Sequence, residues 1–396
     1  MRVWLTLTVC GLVALASACT SGGPPAPTSA APAPTTPAAA PPAPKPAAAP
    51  SAAVSPAASA SPSALASPSA IGKPAAAPVP TVGGPLTTVQ VGYLNSASDA
   101  GILIGLAKGY FQAQGLDVQL QRFDTGAAMT PPLSTGQLDV GAGSPSAGLY
   151  NAALRNITVK IVADKGSDRL GFGYQGIALR KGLQDRVKDY ADLKGLKIGM
   201  TGTGGTSAEI VLAVALKKAG LTMKDVETVA IPYPDLNTAL NTGAIDAAVH
   251  FEPLFTVGIS QGFAVSWKRA DDIYPNHQSA AILYGSSFVQ NKPDVARRWM
   301  LAYVQGVRYY NDAFLKGQNK DEVIGILAQA TGASAQVLSA SVPVGLNPDG
   351  YVNAQGLADD VQTLRELGYL EQPFDVRTIV DNSYADAAVA QLGAYK

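Results

Sequence analysis

Four loops hold most of the side chains able to engage a small molecule: Ser96-Ala-Ser-Asp99, Asp124-Thr-Gly126, Ser144-Pro-Ser146 and Thr201-Gly-Thr-Gly-Gly-Thr-Ser207. Each runs from a strand-like stretch into helical spacing, so its hydroxyls are placed to cap a helix whose first amides lack partners. Ser96 with Asp99 and Thr206 with Glu209 have capping-box spacing, Asp99 standing in for the usual Glu. Ser144 before Pro145 reads as a cap with proline at the first helical position. Helix ends of this kind hold oxygen-rich groups through amides and hydroxyls. The loops thus supply Ser96, Asp99, Thr125, Gly126, Ser144, Ser146, Thr203, Gly204, Gly205 and Thr206 as candidate ligand-binding residues, with neighbouring Asn95. Ordinary capping accounts for the same residues without a ligand. The glycine loop at 202–205 stands out because amides free of side chains let an oxygen atom approach closely, yet it lacks the Gly-Lys-Ser/Thr ending of a nucleotide-binding loop.

Fewer candidates carry a charge or a ring. Lys165, after a strand over 159–163, is the one well-placed cation, so an anion would rest largely on helix ends and hydroxyls. Tyr174 and Phe251 are placed to stack on a flat solute, and Tyr93, Phe172, Tyr233 and Trp267 lie near similar positions, with core packing the simpler reading for Tyr93 and Trp267. Asp164 and Gln175 add hydrogen-bonding groups, and Glu252 either accepts from a ligand or is a solvated loop carboxylate. No catalytic residue, metal cluster or cofactor motif emerges. The histidines are His250, at a strand end, and His277, which reads as a surface or turn residue; the cysteines, Cys10 and Cys19, both precede the globular part.

The elements that position these loops alternate. Strands are expected over 88–93, 118–123, 138–141, 159–163, 196–200, 226–231 and 245–249, with helices over 100–112, 126–134, 145–154, 207–219 and 236–241. That alternation gives an α/β fold with mainly parallel sheets and helices on both faces. The unit Leu133-Ser-Thr-Gly-Gln-Leu-Asp-Val140 returns 107 positions later as Leu240-Asn-Thr-Gly-Ala-Ile-Asp-Ala247, followed by Pro145 and Pro253 respectively. A repeated unit implies two similar lobes, and the cleft between lobes is where a small molecule binds. Segments 174–180 and 280–285 read as two crossings, and helices over 293–315, 321–330, 354–367 and 376–392 are expected to pack on the first lobe.

The succession Val-Gly-Tyr93, Ala107-Lys-Gly-Tyr-Phe111, Gln114-Gly-Leu-Asp-Val118, Thr-Gly-x-x-Asp at 135–139, Asp192-Leu-Lys-Gly195 and the closing stretch 369–385 resembles the nitrate, sulfonate and thiamine-precursor group of ABC-importer solute-binding proteins, a group that also includes thiamine-pyrimidine synthase. The resemblance covers 87–396. It implies a two-lobed periplasmic-binding-protein fold with two crossing segments, lobe 1 over 87–173 and 286–396 and lobe 2 over 174–285. It also implies a monomer without cofactor that delivers a small-molecule solute to a permease with a cytoplasmic ATPase. Within the group, neutral and acidic hydrogen-bonding groups beside rings suit a heteroaromatic vitamin or precursor, riboflavin first. An alkanesulfonate- or nitrate-type anion is the alternative, and an enzyme like thiamine-pyrimidine synthase a further one.

Ahead of this region, Arg2 and an apolar run over 3–16 have the layout of an export signal over 1–18, too short to span a membrane as an ordinary helix. Ala16-Ser-Ala-Cys19 resembles a lipobox, with Cys19 the lipid anchor to the outer face of a bacterial cell membrane; its Ala16 departs from the commoner leucine, which leaves ordinary cleavage nearby open. Residues 19–86 are nearly all Ala, Pro, Ser, Thr and Gly, a composition that cannot bury enough apolar surface to order itself and reads as a disordered tether. From Leu86 onward 26 basic residues face 29 acidic ones, and no basic stripe interleaved with aromatics points to nucleic acid.

Overall fold

A computed structural model describes residues 84–157, 159–370 and 372–396. The expected export signal, Cys19 and all but the last three residues of the 19–86 tether lie outside the described residues. Among the described residues, ten strands form two five-stranded sheets. In chain order they are β1 (Thr87–Tyr93), β2 (Leu116–Arg122), β3 (Val140–Gly143), β4 (Lys160–Asp168), β5 (Gln175–Arg180), β6 (Lys197–Met200), β7 (Glu227–Ala230), β8 (Ala247–Phe251), β9 (Ala264–Arg269) and β10 (His277–Tyr284). The first sheet runs β2-β1-β3-β10-β4 and the second β7-β6-β8-β5-β9. In each, four strands share one direction and the fourth in spatial order is antiparallel to both its neighbours.

The repeat seen in the sequence is one structural device used twice. Gly136 and Gly243 end their helices in the left-handed region, at φ of 77° and 74°, where a residue with a Cβ is strained. Three residues on, Asp139 accepts the amide of Gln90 at 2.9 Å and Asp246 accepts that of Lys197 at 3.1 Å. Each carboxylate thus pins the start of its strand to the central parallel neighbour.

Two expectations are corrected here. Segments 174–180 and 280–285 are not connections between sheets but central strands, β5 in the second sheet and β10 in the first. The chain changes lobe in the loops 169–174 and 274–276, so residues 277–284, assigned above to lobe 2, belong to the first sheet. A run buried on both faces, as every residue of β10 is, shows no alternation by which a strand could be told from a connector. The helix expected over 100–112 breaks at Gly109, whose φ is 72°, and the helix expected from Pro145 starts at Ala147 with Ser146 as its cap.

The first lobe's core is built on helix Pro293–Leu315, whose Trp299, Tyr303 and Val307 are fully buried against helix Ala100–Ala107. The two helices approach through Gly101 and Gly306; a Cβ at Gly306 would lie 2.1 Å from the Gly101 carbonyl oxygen. Among the C-terminal helices, Ala354–Glu366 also reaches the second lobe, where Glu366 pairs with Lys217 at 2.9 Å.

Candidate functional site

The loops at the carboxyl ends of the parallel strands converge on one small cavity between the lobes, of about 50 Å³. The first lobe contributes Leu94, Ser96, Ser98, Thr125, Gly126, Ala127, Ser144, Ser146, Ser279 and Ala280, and the second Thr201, Thr206, Ser207, Ala208, Tyr233 and Phe251, with Tyr174 at the crossing. Nine of these are serine or threonine and none carries a formal charge, so polarity here comes from hydroxyls and helix ends. Ser96 and Ser146 cap the turns that open helices Ala100–Ala107 and Ala147–Leu154, and Thr206 caps Ser207–Lys217 with the capping box expected of it. Three helix N-termini therefore face one space.

The hydroxyls differ in what already holds them. Ser144 Oγ accepts the amide of Ser207 across the cleft at 3.2 Å. Ser98 Oγ accepts from Lys165 Nζ at 2.5 Å and lies 3.0 Å from Ser96 Oγ. Ser279 and Tyr174 bond each other at 3.0 Å, and burial holds the Tyr174 phenol far above its ordinary range. Ser146 Oγ, on a residue 1 % exposed, has no protein partner among the described residues. A buried hydroxyl is seldom left unpaired without a reason, and a bound molecule supplies one. On the apolar side, Phe251 lies between Tyr174 and Tyr233, with ring centroids at 5.9 and 6.3 Å.

Eight of the residues anticipated from the sequence line this cavity: Ser96, Thr125, Gly126, Ser144, Ser146, Tyr174, Thr206 and Phe251. The other eight do not line it. Lys165 and Asp99 pair with each other at 3.0 Å, both wholly buried, behind Ser98. Glu252 is neither solvated nor in the cavity: it takes Arg269 at 2.8 Å and the amide and hydroxyl of Thr256 at 3.0 and 2.9 Å. Gln175 Nε2 donates to Asp168 at 2.7 Å while its Oε1 receives the Ser207 hydroxyl at 3.3 Å, one shell out from the cavity. Asn95, in the left-handed region at φ 62°, lines a separate groove with Arg122 and Pro253. Thr203 and Gly204 are exposed.

Gly205 belongs to the contact between lobes. Its carbonyl accepts the Ala147 amide at 3.1 Å, and a Cβ there would sit 2.6 Å from that of Ala147. Across the same face Tyr369 donates to Glu209 at 2.7 Å, and beyond the cavity the Ala97 amide donates to the Glu252 carbonyl at 3.1 Å. The lobes are closed on the cavity.

Neither histidine reaches it. His250, bonded to Asn237 at 3.1 Å, is kept neutral by burial, its pKa lowered to about 3. His277 is not at the surface but fully buried, stacked on Tyr274 and set between Asp168 and Asp360 at 3.3 Å each. Burial opposes its charge, but the two carboxylates outweigh that and raise its pKa to about 10. Ser98, Thr201, Ser207 and Tyr233 lay within segments singled out from the sequence, whereas Ser279 had no local signal because β10 was read as a connector.

The sequence profile of the NMT1-like family matches residues 83–328. The chain belongs to that family. Its relatives include a Brucella abortus protein named as a candidate binding protein, 28 % identical over 302 residues that span 72 % of this chain and 88 % of the relative. Among solved structures, the nitrate-binding protein NrtA of Synechocystis superposes with a TM-score of 0.66 at 17 % identity, covering 78 % of this chain and 89 % of NrtA. The alkanesulfonate-binding protein SsuA of Xanthomonas axonopodis bound to MOPS gives 0.62 at 18 %, covering 75 % and 99 %. The NMT1-like chain thus has the fold of the periplasmic binding proteins.

Proposed function

We propose that this NMT1-like protein is the extracytoplasmic solute receptor of an ABC importer and that its solute is a small organic oxyanion, a sulfonate or carboxylate with a short apolar body. The unpartnered Ser146 hydroxyl, buried at a helix N-terminus in a cavity shared by both lobes, carries this reading. Three helix ends and a hydroxyl lining stabilise negative charge without a cation, and Leu94, Phe251 and Tyr233 give an apolar body its contact. The solutes named for NrtA and SsuA, nitrate and an alkanesulfonate buffer, are of the same chemical kind.

Riboflavin, the solute first expected, is favoured less. Polarity in the cavity comes from hydroxyls and helix N-termini, which suit a negatively charged head group more than a neutral flavin ring system.

The deciding experiment is thermal-shift screening of residues 84–396, refolded free of bound solute, against methanesulfonate, longer alkanesulfonates, nitrate, short carboxylates, hydroxymethylpyrimidine and riboflavin. A ligand at 100 times its Kd stabilises by about 2.7 kcal/mol; a shift with riboflavin or the pyrimidine and with none of the anions would overturn the assignment. Acylation of Cys19, proposed from its lipobox-like setting, is tested by labelling with radioactive palmitate, which Cys19→Ser should abolish.

A further inference from the structure

Directly behind the cavity wall lies the buried pair Asp99–Lys165, at 3.0 Å with both side chains 0 % exposed. Ser98, 2 % exposed, and Ser96, 5 % exposed, line the cavity and bond to this pair. Lys165 donates to Ser98 Oγ, which directs the serine's own proton to Ser96 or into the cavity, and Asp99 receives the Ser96 amide at 2.8 Å and its hydroxyl at 3.3 Å. Both serines that face the solute on this side are therefore oriented by opposite charges. Asp164, the acid next to Lys165 on β4, points the other way, as alternate strand residues do, and is satisfied there by Gln278 at 2.6 Å and by the amides of Gly166 and Asn347.

A buried ion pair is poor value as a source of stability, since taking two charges out of water offsets most of their attraction. Its place one hydroxyl from the solute suggests a different use. Resting on the oxyanion reading above, we infer that Asp99 sets the charge preference of the site. By cancelling Lys165 it leaves the cavity with partial charges alone, so a singly charged head group is preferred over a doubly charged one of the same shape. Lys165 and Asp99 are positioning and charge-setting residues; neither touches the solute.

Methanesulfonate and sulfate share a tetrahedral head and differ in charge, so their affinity ratio, measured by isothermal titration on residues 84–396, is the readout. Wild type should favour methanesulfonate. Asp99→Asn, which leaves Lys165 uncompensated, should shift the ratio towards sulfate by about tenfold or more, and Lys165→Met should shift it the opposite way while weakening both anions. Asp99→Asn combined with Lys165→Met should bring the ratio back towards wild type. Equal loss of both anions in every variant, with the ratio unmoved, means that the pair only holds the loop in place and overturns the inference; should Asp99→Asn fail to fold, Lys165→Met and the double variant decide it. If wild type binds neither anion but takes a neutral solute, the oxyanion reading falls, and this inference with it.

Discussion

Ser146 is the residue whose state makes the sharpest demand on a bound solute. Because its hydroxyl has no protein partner in the closed cleft, Ser146→Ala should leave the stability of the solute-free protein unchanged while weakening solute binding by about 1 kcal/mol, roughly fivefold. Titration calorimetry with a parallel urea melt separates the two; a loss of solute-free stability would show that the hydroxyl has a partner after all. A second prediction concerns His277, whose pKa rises from 6.5 to about 10 through Asp360 and Asp168, against the effect of burial. A raised pKa contributes stability that is complete below pH 6.5 and is lost as pH climbs through 10. Stability should therefore decline across that window, and His277→Asn should flatten the decline in urea melts taken from pH 6 to 10; an unchanged slope would assign the decline to other groups. At this scale the sequence showed residue type and loop but not remote partners. Lys165 looked like a free cation because Asp99, 66 positions away, is joined to it only by the fold.

Elements were legible where their signals are local. The left-handed glycines at 136 and 243, the capping box of Thr206 with Glu209 and the first-turn Pro293 all stand where the sequence placed them. β5 and β10 were misread because central antiparallel strands have no polar face, and β9 was missed because its partly exposed run of six carries little apolar pattern. The glycine loop was noticed for the right chemical reason, close approach, but at Gly205 what approaches is the other lobe. Gly205→Ala would combine a φ of 83° with a 2.6 Å clash against Ala147. The φ strain, about 1–3 kcal/mol, is borne in the open and the shut state alike, whereas the clash falls on closure, because Ala147 belongs to the opposite lobe. The variant should lose solute affinity by about tenfold, and in small-angle scattering the solute should no longer reduce its radius of gyration. Compaction equal to wild type would show that the contact is dispensable.

At the scale of the whole molecule, Tyr369 to Glu209, Lys217 to Glu366, the Val342 amide to Glu252 and the backbone bonds of Ala97 and Ala147 join the lobes from outside the cavity among the described residues. The ion pair is exposed and contributes little. The tyrosine bond, with the phenol pushed up to about 12 by burial and the neighbouring carboxylate, is the stronger of the two. In the role proposed above, the solute touches both lobes only when they are shut and so tips the equilibrium; moving it from 1:99 to 99:1 takes a preference of roughly 10⁴-fold between the two states. Contacts outside the cavity add to that balance without discriminating among solutes. Tyr369→Phe should therefore weaken every solute by the same factor, about two- to tenfold, through faster dissociation with little change in association. A Ser146→Ala variant, in contrast, should weaken oxyanions selectively. Stopped-flow displacement with two solutes of different head group distinguishes these cases; a Tyr369→Phe effect confined to one solute would place that tyrosine in recognition and leave closure to the other contacts.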